Sequence, residues 1–317
     1  MTSPTALPPL VAIVGPTASG KSSLGVFLAK IFGGEVLACD STQLYRGFDI
    51  GTAKPLRAER ETVPHHLLDV LDPSETSTAG GYRERAITVL DDLRSRSRLP
   101  VLTVGTGLYL RALLEGLADL PLRSEEIRER LRASALEHGT GHLHGMLARL
   151  DPEAAKAINP SDQQKLIRAI EICLLTQKPL TEVHRSGRTP LAGWRVSKIG
   201  LAPDRDALVE RIRRRTDSML QAGWLQEVTQ LLASGLSDDA KPFQFIGYRE
   251  LRSQLRGEIT LDAARSAIQQ GTRQYAKRQL TWFRREANVH WLSGFGDEPS
   301  VQTAAKEWLI GQINAFV

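Results

Sequence analysis

The segment LVAIVGPTASGKSS, residues 10–23, restricts the possible folds of this chain more than any other stretch. Its first five residues are apolar and rich in β-branched side chains, which is typical of a buried strand. The next eight match G-x-x-x-x-G-K-[ST], the pattern of a phosphate-binding loop. The residues that follow have helical character up to Gly33. A strand, a glycine-rich loop and a helix in this order predict a phosphate site at the edge of a parallel sheet.

Further strand-like runs alternate with helical segments along the first third of the chain. EVLACD (35–40), HHLLDVLD (65–72) and LPVLTVG (99–105) favour strands, although the second is short enough to be helical. Helical spacing covers 79–98 and 107–116. This alternation predicts an α/β fold in which helices flank a P-loop-type parallel sheet on both faces.

The alternation stops near residue 120, and the segment up to about 190 contains helical patterns without a convincing strand. Strand character returns at 194–203 and again at 289–293. We therefore predict a helical insertion domain at 121–193, within a catalytic core made of 8–120 and 194–317. The C-terminal part of that core is predicted to be helical, at 204–221, 223–234 and 261–287.

Composition excludes several classes of protein. No apolar run reaches the roughly 18 residues of a membrane span, and MTSPTALPPL lacks the charge pattern of a secretory signal. The two cysteines, Cys39 and Cys173, are far apart, which argues against a zinc site or a disulfide framework. We expect reduced thiols in a cytoplasmic protein with no membrane partner, and we expect a monomer.

Positive charge is concentrated late in the chain, although the net charge is only +5. In RQYAKRQLTWFRR (273–285), aromatic residues are interleaved with lysine and arginine, a pattern that suits phosphate contacts combined with base stacking in RNA binding. An amphipathic helix with Trp282 in the core is the alternative. On the helical pattern at 204–221, Arg211 and Arg215 lie away from the apolar stripe, and either clamp a diphosphate or face solvent.

Polar residues at two strand ends are candidates for chemistry. Asp40 ends the second strand, where it suits a magnesium ligand, a general base or an Asp-Ser turn. Thr106, in GTGLY, suits either a hydroxyl facing a ligand or a structural helix cap. In the phosphate loop, Lys21 neutralises the outer phosphate and Ser22 is the candidate ligand of Mg²⁺. Asp49 and Lys54, judged alone, are more typical of loop and surface groups.

Six blocks occur in an order that identifies a family resemblance: GPTASGKS, DSTQLYRGFDIGTAKP, HHLLDVLDP, GTGLYLRALLEGL, FIGYREL and QYAKRQLTWFR. In this order they resemble the bacterial tRNA dimethylallyltransferases, also called tRNA isopentenyltransferases, over residues 10–293. The resemblance implies a P-loop core with a helical insertion domain that binds tRNA. It also implies Mg²⁺ and transfer of a dimethylallyl group from dimethylallyl diphosphate to N6 of the adenosine 3′ of the anticodon, with that base flipped out into a channel.

The resemblance carries residue roles onto this sequence. Asp40 matches the general base and Thr106 a hydroxyl near the reacting centre. Diphosphate binding is implied for Gly15, Pro16, Thr17, Ala18, Ser19, Gly20, Lys21, Ser22 and Arg215. Contact with tRNA is implied for Asp40, Ser41, Thr42, Gln43, Gln164, Lys165, Arg168, Gln244, Gly247, Tyr248, Arg249, Lys277, Arg278, Gln279, Trp282 and Arg284.

Two positions depart from the family pattern. Val104 stands where a first glycine often precedes the Gly-Thr pair, and Lys165 replaces a usual arginine, which removes a planar fork for bidentate contacts.

Two other functions use the same phosphate-binding loop. One is a small-molecule or nucleotide kinase, which moves a γ-phosphoryl group, and the other is an RNA-binding P-loop protein without transferase activity.

Overall fold

The computed structural model describes residues 7–118, 120–185 and 187–314. Over these residues the chain divides into two compact units. The segment Leu114–Leu191 forms the smaller unit, and the described residues on either side of it form the larger one. The insertion domain predicted at 121–193 shares most of its residues with the smaller unit.

A six-stranded parallel sheet forms the centre of the larger unit in the described part of the chain. Its strands are β1 (Pro9–Val14), β2 (Gly34–Cys39), β3 (His65–His66), β4 (Leu99–Val104), β5 (Arg195–Leu201) and β6 (Val289–Leu292). The strand order is β3-β2-β4-β1-β5-β6, and every neighbouring pair is parallel. In register, Val11 lies opposite Val101 on one side and Ser197 on the other. The predicted α/β fold with a parallel sheet and flanking helices is confirmed.

The described residues before the predicted insertion form the helices α1 (Lys21–Phe32), α2 (Arg57–Thr62), α3 (Ala79–Ser95) and α4 (Gly107–Glu115). Helix α1 ends at Gly33, which has a φ of 62° and donates to the carbonyl of Ala29, as the sequence predicts for a glycine C-cap. On α3, Ala86, Leu90 and Leu93 are fully buried and form the predicted apolar face.

The regular secondary structure of the smaller unit is helical in its described residues. Its elements are α5 (Glu125–His138), α6 (Thr140–Leu150), α7 (Pro152–Ala157), α8 (Gln163–Thr176) and α9 (Leu180–Arg185). Leucine and isoleucine side chains of α8 are buried against Leu143 and Leu147 of α6 in a core of its own. Burial of this apolar surface stabilises the insertion independently of the sheet.

The C-terminal helices return to the larger unit: α10 (Arg205–Gln221), α11 (Trp224–Ala233), a 3-10 helix (Lys241–Gln244), α12 (Tyr248–Leu255), α13 (Leu261–Phe283) and α14 (Pro299–Asn314). Leu24 and Leu28 of α1 and Leu309 of α14 are buried in one cluster with alternate residues of the strands. Helices α10 and α13 pack together through Leu208, Ile212 and Ala276. None of the helices in the described ranges has the length and apolar character needed to cross a membrane.

The strand predicted at 65–72 is much shorter in the structure, because only His65–His66 pairs with β2. Leu67 and Asp69 have positive φ angles of 62° and 57°, which end the extended conformation. The chain then turns towards the loop after β2, where Leu71 forms an isolated parallel bridge with Tyr45. This bridge ties the third strand to the loop that carries Asp40.

Candidate active site

Three loops that carry predicted site residues leave neighbouring strands of the sheet. The phosphate loop follows β1, Asp40 follows β2, and Thr106 follows β4, which lies between the other two strands. Because the carboxyl ends of parallel strands meet at one edge of a sheet, segments distant in sequence come together there. The fold therefore places the predicted diphosphate loop, base and hydroxyl on a single rim.

The phosphate loop has a backbone conformation that depends on glycine. Gly20 has a φ of 86°, and a Cβ there would lie 2.7 Å from the nitrogen of Gly296, so a larger residue does not fit. Lys21 opens α1, and its ammonium donates to the carbonyl of Gly15 at 2.9 Å and to that of Pro16 at 2.7 Å. The charge of Lys21 is therefore held on its own loop.

A cavity of about 270 Å³ opens beside this loop. Most of the residues predicted to bind diphosphate line it, namely Thr17, Ala18, Ser19, Gly20, Lys21, Ser22 and Arg215. Gly15 and Pro16 do not line the cavity, and instead provide the carbonyls that accept from Lys21. Asp40 also lines it, so the predicted base and the predicted diphosphate site share one space.

Lys21, Arg215 and Asp40 are three of the charged side chains that line this cavity. Burial lowers the pKa of Lys21 to about 7, the charge of Asp40 acts against this shift, and the charge of Arg215 adds to it. Burial also lowers the pKa of Arg215, whose Nη1 lies 3.5 Å from Oγ1 of Thr17. An anion in the cavity would favour the charged forms of both side chains. The site is therefore suited to a diphosphate.

Asp40 is held by its own loop through one of its two carboxylate oxygens. Oδ1 accepts from the backbone N–H of Thr42 at 2.8 Å and from the Thr42 hydroxyl at 2.7 Å. A Cβ at position 105 would lie 1.9 Å from Oδ2, so Gly105 is needed for the carboxylate to fit. This contact explains why the glycine adjacent to Thr106 is present in this chain, even though Val104 replaces the other one.

Thr106 forms hydrogen bonds with the loop after β2. Its Oγ1 accepts from the backbone N–H of Ser41 at 2.9 Å and donates to the Ser41 hydroxyl at 3.1 Å. The backbone N–H groups of Gly105 and Thr106 both donate to the carbonyl of Cys39 at 3.0 Å. These bonds fix Asp40, the residue between Cys39 and Ser41, against the turn after β4.

The remainder of the block 40–55 is organised by Lys54, and the expectation of a surface lysine is wrong. Its side chain is only 1% exposed, because the chain folds back over it. Its ammonium donates to Oδ1 of Asp49 at 2.7 Å, to Oδ1 of Asp69 at 2.5 Å and to the carbonyl of Tyr45 at 2.5 Å. Lys54 therefore joins the loop after β2 to the segment after β3.

We expect Lys54→Met to lower the free energy of unfolding by about 2–3 kcal/mol, because a buried lysine is lost and its partly exposed carboxylate partners remain. Urea denaturation gives this quantity. Lys30→Met, which removes an exposed lysine of α1, is the matched control and should leave the free energy of unfolding nearly unchanged. Equal losses in the two variants would show that the buried lysine does not organise the loop.

A second cavity, of about 360 Å³, adjoins the first. The two share Thr17, Asp40, Thr52, Arg215 and Tyr275 in their linings. Away from the shared part, the second cavity is lined by polar side chains that include Lys241 and Gln244 and by the apolar side chains of Ile212, Met219, Trp224, Phe245, Ile246 and Ile268. The site thus combines a polar, cationic cavity and a more apolar one that meet at Asp40 and Arg215.

The residues predicted to contact tRNA differ in exposure. Side chains exposed to solvent are Gln164, Lys165, Gln244, Arg249, Lys277, Arg278, Trp282 and Arg284. Partly buried ones are Asp40, Ser41, Thr42, Gln43 and Arg168. In the smaller unit, Arg168 donates to Glu171 at 2.8 Å and to the carbonyl of Pro121 at 3.1 Å. Of the residues predicted to contact tRNA, the solvent-exposed ones are the most accessible to a bound RNA.

Three residues of that predicted set are buried: Gly247, Tyr248 and Gln279. Tyr248 donates from its hydroxyl to Glu227 and accepts from the N–H of Gly51, while a Cβ at Gly247 would lie 1.9 Å from the Trp224 ring. Gln279 bonds Thr17 and Gly105. The side chains of Tyr248 and Gln279 therefore hold segments of the site together, and the absence of a side chain at Gly247 leaves room for Trp224.

Sequence reasoning missed one further contributor to the site, Tyr275. It lies one turn before Gln279 and donates to the carbonyl of Gly105 at 2.9 Å, and its spacing of four residues from Gln279 was the available signal. Arg211, which the sequence pattern offers with Arg215 as a candidate to clamp a diphosphate, lines the first cavity one turn before Arg215. It pairs with Asp297 at 2.8 Å and stacks on the ring of Phe295, a partnership that no local pattern reveals.

Comparison with known proteins agrees with this geometry. The sequence profile of the IPP transferase family matches residues 43–286, which is most of the chain. The chain belongs to the IPP transferase family. A second profile, described as isopentenyl transferase, matches residues 8–72 and so includes the phosphate loop and Asp40. The family resemblance predicted from the six sequence blocks is confirmed.

Individual relatives match over nearly their whole length. The tRNA dimethylallyltransferase of Koribacter versatilis (strain Ellin345) is 53% identical over 294 residues, covering 93% of this chain and 95% of the relative. The protein of the same name from Solibacter usitatus (strain Ellin6076) is 46% identical over 299 residues, covering 94% and 97%. The similarity therefore includes the sheet, the insertion and the C-terminal helices.

Two solved structures are similar over 97% of this chain. The tRNA isopentenylpyrophosphate transferase of Bacillus halodurans is 39% identical with a TM-score of 0.72, and 97% of its chain is covered. A eukaryotic dimethylallyltransferase acting on tRNA is 26% identical with a TM-score of 0.81, and 79% of its chain is covered. The fold of this chain is thus the fold of these transferases.

Proposed function

We propose that this protein transfers a dimethylallyl group from dimethylallyl diphosphate to N6 of the adenosine 3′ of the anticodon in tRNA, and releases diphosphate. The observation that supports this most directly is the meeting of two cavities at Asp40 and Arg215. A transfer between two substrates needs the leaving group and the acceptor to approach one point from different sides. The cationic cavity suits the diphosphate, and the apolar one suits the allyl group and the base.

The leaving group is held by Lys21, Arg215 and the phosphate loop. Their charges neutralise the diphosphate as the bond between its oxygen and the allylic carbon breaks, which stabilises the transition state. Ser22 is exposed at the start of α1 and lines the same cavity, so its hydroxyl would be a ligand for Mg²⁺ there. When bound, Mg²⁺ would supply additional neutralisation of the leaving group.

Asp40 acts on the acceptor. Oδ1 is engaged by Thr42, whereas Oδ2 faces the turn at Gly105 beside both cavities. As the new bond between N6 and the allylic carbon forms, N6 loses a proton, and Oδ2 of Asp40 accepts it. Thr106 keeps this carboxylate in place through Ser41. The electron pair of the broken carbon–oxygen bond leaves with the diphosphate.

Contact with tRNA is proposed for the exposed members of the predicted set and for the partly buried Asp40–Gln43 segment at the cavity. On α13, Lys277, Arg278 and Trp282 combine charge with an aromatic face, which suits phosphate contacts and base stacking. In the smaller unit, the exposed Gln164 and Lys165 form the proposed tRNA contact of the insertion domain, together with the partly buried Arg168. We propose that the protein acts as a monomer in the cytoplasm, where its two buried free cysteines stay reduced.

Diphosphate binding should be coupled to protonation of Lys21. The pKa of Lys21 is about 7 in the free protein, and a bound anion raises it. At a pH between the pKa of Lys21 in the free protein and its pKa in the complex, binding of diphosphate takes up a proton. The affinity for diphosphate therefore falls as the pH rises above 7, by up to about tenfold per pH unit. Isothermal titration calorimetry with inorganic diphosphate from pH 6.5 to 9 measures this slope.

Lys21→Arg is the control for that measurement, because a guanidinium stays charged over the whole range. The titration of diphosphate itself is common to both proteins and cancels in the comparison. We expect a steeper fall in the wild type than in the variant. The same slope in both proteins would show that Lys21 is already fully protonated before the anion binds.

The proposed function is tested by incubating the protein with tRNA and dimethylallyl diphosphate, and analysing the tRNA nucleosides by mass spectrometry. An N6-dimethylallyl adenosine at the position 3′ of the anticodon is expected, together with released diphosphate. Phosphoryl transfer from ATP to an acceptor would instead indicate the kinase, and tRNA binding without product would indicate a binding protein. Either of these results would overturn the proposal.

A further inference from the structure

Gln279 connects two loops of the site through a single buried amide. It lies on α13, and only 5% of the residue is exposed. Its Oε1 accepts from the backbone N–H of Thr17 at 2.6 Å, and its Nε2 donates to the carbonyl of Gly105 at 2.7 Å. These partners are distant in sequence from Gln279, and they belong to the loops after β1 and β4.

Each partner is next to a group with a proposed role in the reaction. Thr17 belongs to the phosphate loop, and its hydroxyl accepts from the Arg215 guanidinium at 3.5 Å. Gly105 is packed on the carboxylate of Asp40, where a Cβ would lie 1.9 Å from Oδ2. The amide of Gln279 thus bridges the part of the site that holds diphosphate and the part that holds the base.

These two contacts require a side chain that accepts one hydrogen bond and donates another, as an amide does. One partner is an N–H donor and the other a carbonyl acceptor, so the side chain must accept at one end and donate at the other. Ionised glutamate only accepts, and methionine, of similar length, does neither to a useful extent. Tyr275 also donates to the carbonyl of Gly105, but it makes no contact with the N–H of Thr17 that would replace Gln279.

We infer that Gln279 is a positioning residue, which fixes the diphosphate loop relative to Asp40 through Thr17 and Gly105. The inference rests on the proposed function. Transfer requires the breaking bond at the diphosphate and the proton acceptor at N6 to be aligned across these loops, and small displacements of reacting groups are costly in rate. This role replaces the contact with tRNA that the sequence motif predicts for residue 279, whose side chain is turned into the protein.

Three variants test the inference, all in the full chain: Gln279→Met, Gln279→Glu and the control Gln270→Met, which alters an exposed glutamine of the same helix outside the basic segment 273–285. We expect Gln279→Met to lower kcat by about 10- to 100-fold. We expect its tRNA affinity, measured by filter binding, to equal that of the control. A weaker tRNA affinity with normal kcat would mean that residue 279 contacts tRNA, and an unchanged kcat with a lowered Tm would mean that it only stabilises the fold.

Gln279→Glu provides a readout that a purely structural role would not change. A protonated glutamic acid has a hydroxyl donor and a carbonyl acceptor, so it can reproduce both contacts of the amide, whereas the ionised form cannot. The ratio of its kcat to that of the wild type should therefore rise as pH falls from 8 to 6. The other charged groups of this cavity, including Lys21, Asp40, Arg211 and Arg215, are common to both proteins. A ratio independent of pH would overturn the inference.

Binding of inorganic diphosphate to the free protein separates failure of this inference from failure of the proposed function. We expect Gln279→Met to weaken that binding several-fold relative to Gln270→Met, because the phosphate loop loses its anchor. This result needs neither tRNA nor turnover. If the wild type makes no prenylated nucleoside, the proposed function fails, while the binding comparison still decides the role of Gln279. Equal diphosphate affinities in the two variants would count against the anchor.

Discussion

Replacing Asp40 by asparagine is expected to lower kcat by about 10²–10⁴-fold, the usual contribution of a positioned general base. Affinity for tRNA should survive, because the amide keeps the shape of the side chain. Oδ1 of the asparagine still accepts from the N–H and the hydroxyl of Thr42, so the loop stays in place. What is lost is the ability of the second oxygen to accept the proton of N6.

Single-turnover kinetics with saturating tRNA and dimethylallyl diphosphate measure this loss directly, because they exclude product release. Asp91→Asn, which makes the same change at an exposed position of α3, is the control and should react at the wild-type rate. A normal single-turnover rate for Asp40→Asn would remove Asp40 from the mechanism. A loss of tRNA affinity in parallel with the rate would assign Asp40 to substrate binding instead.

The parts of the fold that sequence alone predicts depend on local signals. The phosphate loop, its flanking strand and helix, and the burial of Ala86, Leu90 and Leu93 on α3 follow from patterns within about 20 residues. Asp40 and Thr106 were found because each directly follows a recognisable strand, and the parallel sheet brings strand ends together. Their mutual arrangement through Ser41 needed the structure.

The parts that were not predicted depend on contacts between distant segments. The local sequence around Lys54 is typical of a surface residue. Only the fold brings Asp69, from the segment after β3, beside its ammonium. Gln279 has the neighbours of an RNA-binding helix, and only packing of α13 on the sheet edge turns its amide towards Thr17. The length of the strand predicted at 65–72 is too great, because its apolar residues indicate burial but not an extended backbone. The backbone turns at Leu67 and Asp69, which have positive φ, and the chain then pairs with the loop at Tyr45.

The phosphate loop provides the second large effect, which concerns Lys21. Replacing Lys21 by methionine should lower kcat/KM for dimethylallyl diphosphate by about 10²–10³-fold, the usual result of removing one group that stabilises developing charge. Methionine keeps most of the volume of the side chain but loses the ammonium that bonds Gly15 and Pro16. The tRNA substrate does not depend on this charge, so its KM should change little.

Steady-state kinetics with each substrate varied in turn separate these two effects, and Lys30→Met on the same helix controls for the loss of a lysine from α1. Lys21→Arg should recover only part of the activity, because a guanidinium is charged but larger and planar. The separate changes in kcat and KM also show whether the phosphate loop acts in substrate binding alone or in the chemical step as well. If Lys21 bound the diphosphate equally in ground and transition states, KM for the donor would rise while kcat stayed the same. Because charge grows on the diphosphate as the allylic bond breaks, we expect kcat to fall as well, and a change confined to KM would limit the loop to substrate binding.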